Sequence, residues 1–79
     1  MPKFPTDAPI RRVLDALTKL GFVVVREGNH IAMVRENSDG SRTPLTLPNH
    51  RIIKSATLRS ILTQSSITRD DFLRAYEQS

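Results

Sequence analysis

Apolar residues recur at Ile10, Val13, Leu14, Leu17 and Leu20, the three- and four-residue spacing of one helix face. Thr6 or Asp7 is placed to cap that helix, Pro9 fits its first turn, where a missing N–H does no harm, and Gly21 ends it as a C′ glycine. The pattern then changes period. Residues 22–26, "FVVVR", are β-branched and read as a strand; Glu27-Gly28-Asn29 supplies a turn, with Gly28 its structural residue, and residues 30–35, "HIAMVR", read as the second strand of a hairpin. A second turn, "ENSDGS", puts Asp39-Gly40 where a positive φ is needed, and "RTPLTLP" follows as a third strand. Pro44 cannot donate to a ladder, so this strand is expected at a sheet edge, or paired only beyond Pro44. Residues 49–54, "NHRIIK", read as a connecting loop in which Ile52 and Ile53 anchor over the core. A helix capped by Ser55 carries Leu58, Ile61 and Leu62 on one face. A last short helix has Thr68 as its cap, Asp71 at the capping-box position and Phe72, Leu73 and Tyr76 as its stripe.

The expected fold is therefore α+β, in the order α-β-β-β-α with a short C-terminal helix added. A three-stranded antiparallel sheet has helices on one face only, because there are too few apolar residues to cover both. The 79 residues are expected to form one domain, with residues 1–8, "MPKFPTDA", as an extended arm. There is no repeat, low-complexity tract or linker to divide it.

Composition narrows the function classes. With 38% hydrophobic and 25% charged residues the chain has the means to fold. It has no cysteine, which removes disulfides, thiolate zinc sites and thiol catalysis. The longest apolar run, residues 22–25, is far too short to span a bilayer, and no secretory signal is recognisable, so a cytoplasmic protein is expected. Twelve Lys and Arg against eight Asp and Glu give a net charge of +4. Between Asp39 and Asp70 there is no acid, while Arg42, Arg51, Lys54, Arg59, Arg69 and His50 all fall there. Such a stretch attracts phosphate, and RNA is the candidate partner; a solvated basic face, or one that meets an acidic protein, is the alternative.

Motifs for dinucleotides, nucleoside triphosphates and structural zinc are absent, and His30 and His50, twenty residues apart, match no common metal-ligand pattern. No metal or other cofactor is expected. Asp70-Asp71 is explained by the first turn of the last helix. The residue that stands out is His30, an imidazole at a strand end beside Gly28. Imidazoles titrate near neutral pH, so one can take a proton from a ribose 2′-OH or return one to a leaving 5′-oxygen without a metal. Lys54, Arg35 or Arg51 can stabilise the charge of the phosphorane, and His50 can serve as the complementary acid or bind phosphate.

Several stretches together resemble a known family. They are the helix followed by "LGFVVVREGNH", then "IAMVRENSDG", the "LPNH" after the third strand, and "IKSATLRSILTQSSITRDDFL", which is similar to a Lys-x-x-Thr-Leu-x-x-Ile-Leu segment with its following capped helix. In this order, over residues 9–77, they resemble the HicA toxins, small mRNA interferases of toxin–antitoxin modules. The resemblance implies a fold like that of double-stranded RNA-binding domains and an endoribonuclease whose catalytic histidine, at the start of the second strand, matches His30 in "GNH". Asn29 stands where that family commonly has a hydroxyl residue, and Ile31 and Arg35 where it often has histidines. Asn29, Arg35, His50, Arg51, Lys54 and Arg59 are the candidate RNA-binding residues. A HicB-like antitoxin that covers the active face is the implied protein partner. Two other readings stay open: a non-catalytic RNA-binding module of the same fold, and a protein-interaction domain in which His30 is structural.

Overall fold

The structure, a computed structural model, describes residues 4–78. Of the arm expected over residues 1–8, residues 1–3 lie outside the described residues, as does Ser79. The elements are β1 (Asp7–Pro9), α1 (Ile10–Lys19), β2 (Phe22–Glu27), β3 (His30–Glu36), β4 (Arg42–Pro48), β5 (Ile52–Lys54), α2 (Ser55–Ser65) and α3 (Arg69–Glu77). The expected α-β-β-β-α order and final helix are all present. Two short strands are added to it.

Those strands correct the reading of both helix starts. β1 and β5 pair antiparallel, Ala8 opposite Ile53, so the backbone stays extended through Pro9 and neither Thr6 nor Asp7 can cap α1. Pro9 itself is the N-cap, at φ −60° and ψ 135°, and α2 is capped by Lys54 rather than Ser55. Neither cap uses a side chain. Instead the Ile10 N–H donates to the Arg51 carbonyl at 2.9 Å and the Ser55 N–H to the Thr6 carbonyl at 3.0 Å, so the residue just before each strand supplies an acceptor to the helix that follows the other strand. Residues 52–54 are thus a strand, not a loop. Ile53 is buried beside Ala8 while Ile52 is exposed, so only one of the two expected anchors reaches the core.

The other ends follow local chemistry. Gly21, at φ +97°, ends α1 in a conformation that other residues resist. Thr68 accepts from the Asp71 N–H at 3.1 Å to cap α3. In the β3–β4 turn Gly40 takes φ +88°, and the Ser41 hydroxyl and N–H donate to Asp39, holding its carboxyl below the usual carboxylate range.

The three-stranded sheet runs β2-β3-β4, antiparallel throughout. One face carries Phe22, Ile31, Met33, Leu45 and Leu47, all buried against Val13, Ala16 and Leu17 of α1 and Leu58 and Ile61 of α2. α3 closes the core from below α1. Phe72 is fully buried, and Arg12 donates from Nε to the Tyr76 carbonyl at 3.3 Å while its guanidinium lies 4.1 Å from the Tyr76 ring centre.

β4 is an edge strand, as Pro44 led one to expect, yet it pairs along its whole length, from Arg42 opposite Glu36 to Pro48 opposite His30. Its outer rim is closed by three devices. The Gln64 side-chain amide meets Thr46 twice, accepting from its N–H at 3.0 Å and donating to its carbonyl at 3.1 Å. Thr46 therefore turns its peptide groups outward, and Pro44 and Pro48, two residues either side, share that orientation and have no N–H to offer. Gln64→Ala is expected to cost about 1 kcal/mol and to speed hydrogen exchange at the Thr46 amide. Unchanged exchange there would show that the Gln64 amide does not seal the edge.

Candidate functional site

Alternation along β3 decides which face His30 joins. Ile31, Met33 and Arg35 point to the helices; His30, Ala32, Val34 and Glu36 therefore line the open face. Across the sheet that face reads in rows. His30 stands opposite Pro48, Ala32 lies between Arg26 and Thr46, Val34 lies between Val23 and Pro44, and Glu36 meets Arg42 in an exposed ion pair of 3.3 Å.

Arg26 was not among the candidates read from the sequence. Counting alternately from buried Phe22 puts residue 26 on the helix side. The register shifts between Val24 and Arg26, leaving Val25 as the extra residue of a bulge, and this turns Arg26 to the open face. It then stands opposite Ala32, diagonal to His30, where cross-strand neighbours are about 7–8 Å apart. Ala32, the small residue between them and Thr46, leaves the floor of this corner low.

The turn that carries His30 is tied down by another residue the sequence did not single out. Asn49 donates its backbone N–H to the Asn29 carbonyl at 3.1 Å and its side-chain amide to the Gly28 carbonyl at 2.9 Å. The Gly28 N–H donates to the His30 carbonyl at 3.1 Å. Gly28 does not have the positive φ found at Gly21 and Gly40, and a Cβ there would meet nothing within 4 Å. Its place in the turn is set by these hydrogen bonds and not by a close approach of another backbone. No signal in a single sequence tells which backbone a loop asparagine will meet.

The candidates thus divide. His30, Asn29 and the loop with Asn49, His50 and Arg51 are all exposed at one end of the sheet. Arg35 is not with them. It is five residues from His30, an odd number, so it points to the opposite face, where its guanidinium lies 4.9 Å from the Phe22 ring centre and its Nε donates to Asn37 Oδ1 at 3.2 Å. Lys54 is in the two-stranded sheet, 3.9 Å from Asp7 in an exposed pair. Arg59 is on α2, beside a shallow cleft of about 300 Å³ that it lines with Phe4, Leu62, Thr63, Ile67 and Arg69. The acid-free stretch of sequence is therefore not one continuous basic patch.

Chemically, the corner offers an imidazole on a rigid strand end, a guanidinium one row away, and an exposed loop with a second imidazole. A group of this kind can move a proton and hold an anion on one side of a flat, open surface. Among the described residues, no helix is long and apolar enough to cross a membrane. A family model described as "HicA toxin of bacterial toxin-antitoxin" matches residues 10–67, which spans α1 through α2 and leaves β1 and α3 outside. No curated protein and no solved structure matches the chain.

Proposed function

Because this chain belongs to the HicA toxin family, and is thus the toxin of a toxin–antitoxin pair with a cognate antitoxin as its partner, we propose that it is an endoribonuclease that cuts mRNA in the cytoplasm with His30 as its catalytic group. HicA toxins are generally mRNA-cleaving. The observation that carries the reading to His30 is its place: an exposed imidazole at a strand end, on the open face, diagonal to Arg26.

In this mechanism RNA lies over the corner of Ala32 with a phosphodiester against Arg26. His30 takes the proton of the 2′-OH. The 2′-oxygen then forms its bond to phosphorus as the bond to the 5′-oxygen breaks, and that oxygen leaves with a proton from His50 or from water. The products are a 2′,3′-cyclic phosphate and a 5′-hydroxyl, so atoms and charge balance without a metal or cofactor. Arg26 stabilises the extra negative charge of the phosphorane, and Asn29 and Arg51 hold the flanking strand. A HicB-like antitoxin neutralises the toxin by covering this face.

The test is cleavage of a labelled single-stranded RNA by purified protein in the presence of EDTA. Fragments ending in a cyclic phosphate are expected. RNA that is bound at low salt yet left whole would instead assign a non-catalytic RNA-binding module.

Asn49 enters as a positioning residue. Asn49→Ala releases the turn before His30 and is expected to lower kcat about tenfold while KM moves less than about threefold, since misplacing a reacting group by even an ångström is costly. An unchanged kcat, with the melting temperature preserved, would remove Asn49 from the mechanism.

A further inference from the structure

The two outer edges of the main sheet are treated in opposite ways. β4 is closed by Pro44, Pro48 and the Gln64 amide, whereas β2 has no proline and no such side chain over residues 22–24, ahead of its bulge at Val25. Val23, Val24 and Val25 are 57%, 43% and 61% exposed, although Val23 and Val24 point to opposite faces; where α1 packs against this strand, Phe22 at its start is the residue that is buried. The direction of its peptide groups follows from the far edge. Thr46 turns outward, so Ala32 opposite it turns toward β2, as does Val34; Val23 and Arg26, their partners, turn inward. Phe22 and Val24 therefore aim their N–H and carbonyl groups at solvent.

Over residues 22–24, before the bulge at Val25 and the inward-facing Glu27, this exposed edge has no proline and no covering side chain, and such an edge is a template for another strand. We propose that the outer edge of β2 is where the cognate antitoxin docks, adding an extended strand that pairs with Phe22 and Val24 and packs apolar side chains on Val23 and Val25. The inference rests on the toxin–antitoxin reading above and names the surface that serves it.

Charge selects such a partner over a second copy. Two copies would bring together chains of +4 each. An antiparallel self-pairing centred on Val24 sets Arg26 of one strand opposite Phe22 of the other, with no Arg–Glu pair formed. An acidic chain meets Arg26 at the rim of the same edge, and the positive field draws it in. Geometry links docking to inhibition. A strand added to β2 lies about 10 Å from β3, two strand spacings. Three or four extended residues leading from it across Val23 and Arg26 reach His30 on the open face.

The experiment uses the full-length toxin and the product of the reading frame adjacent to its gene. Hydrogen exchange is followed on the toxin alone and in the complex, and binding is measured for wild type, Val24→Pro and Val23→Lys. Proline removes an N–H that faces solvent, so the β2–β3 ladder is kept. Expected results are slowed exchange at the Val24 amide in the complex, and at least tenfold weaker binding by both variants, with melting and RNA cleavage unchanged. If the adjacent product binds wild type and both variants within tenfold, or leaves Val24 exchange unaltered, docking at β2 is overturned while the ribonuclease reading stands. If the toxin alone sediments as a dimer that Val24→Pro dissolves, the edge belongs to a second copy and the assignment to the antitoxin is overturned. Failure of the adjacent product to bind wild type overturns the docking partner. Loss of RNA cleavage in every form, with Val24 protected in the complex, overturns the enzyme reading alone.

Discussion

Replacing His30 by alanine is expected to lower RNA cleavage by about 10²- to 10⁴-fold, the range one general acid–base group supplies, while the folded structure persists. The side chain is exposed and on the open face, and among the described residues no hydrogen bond or ion pair of its imidazole supports the fold. Its removal is therefore expected to change stability by less than about 0.5 kcal/mol, as at other exposed positions. The measurement pairs growth after induced expression with cleavage of a labelled RNA by purified wild type and His30→Ala, with melting curves for both. Growth arrest and cyclic-phosphate products in the wild type alone would establish a histidine-dependent ribonuclease. A mutant that cuts within threefold of wild type would take His30 out of the chemistry, and the search for the base would move to His50. A mutant whose melting temperature collapses would show His30 to be structural, the third reading of the sequence.

The second large effect is on stability. Phe72→Ala is expected to cost roughly 3–5 kcal/mol, the usual range for emptying a buried aromatic site, and so to lower Tm by roughly 15–30 °C in a domain of this size. Phe72 has no exposed surface; it stacks on Tyr76 at 5.6 Å between ring centres and faces Phe4 at 6.4 Å. The Phe4 contact joins α3 to the N-terminal segment, and Arg12 over Tyr76 joins it to α1. The result matters because Phe72 lies outside the 10–67 family match. A shift below about 3 °C would mean that α3 is an appendage, and that the matched residues hold the fold without it.

Residue by residue, the sequence was legible where neighbours in the chain settle the outcome. The face of α1 follows from the spacing of Val13 and Leu17, the stop at Gly21 from its freedom at positive φ, and the cap at Thr68 from a hydroxyl three residues before the Asp71 N–H. Pro44 placed β4 at an edge for the same kind of reason, a missing donor. His30 could be singled out as an imidazole opening a strand; its place on the solvent side followed from the burial of Ile31 and Met33 against the helices.

What the tertiary structure decided depends on residues far apart, or on a count of one. Asp7–Pro9 became a strand because Ile52–Lys54, some 45 positions on, lies beside it; only that pairing shows why neither helix needs a side-chain cap. Because side chains alternate with a period of two, the single extra residue at Val25 moved Arg26 into the corner with His30. Arg35, at an odd distance from His30, went to the helix side, and Arg59 followed α2 away from the open face. Local pattern thus determined the three helices and the three strands of the main sheet, and singled out the histidine. Which cations stand beside it, and which sheet edge is left bare, was decided by register and packing, because these are set between chain segments that no single stretch of sequence contains.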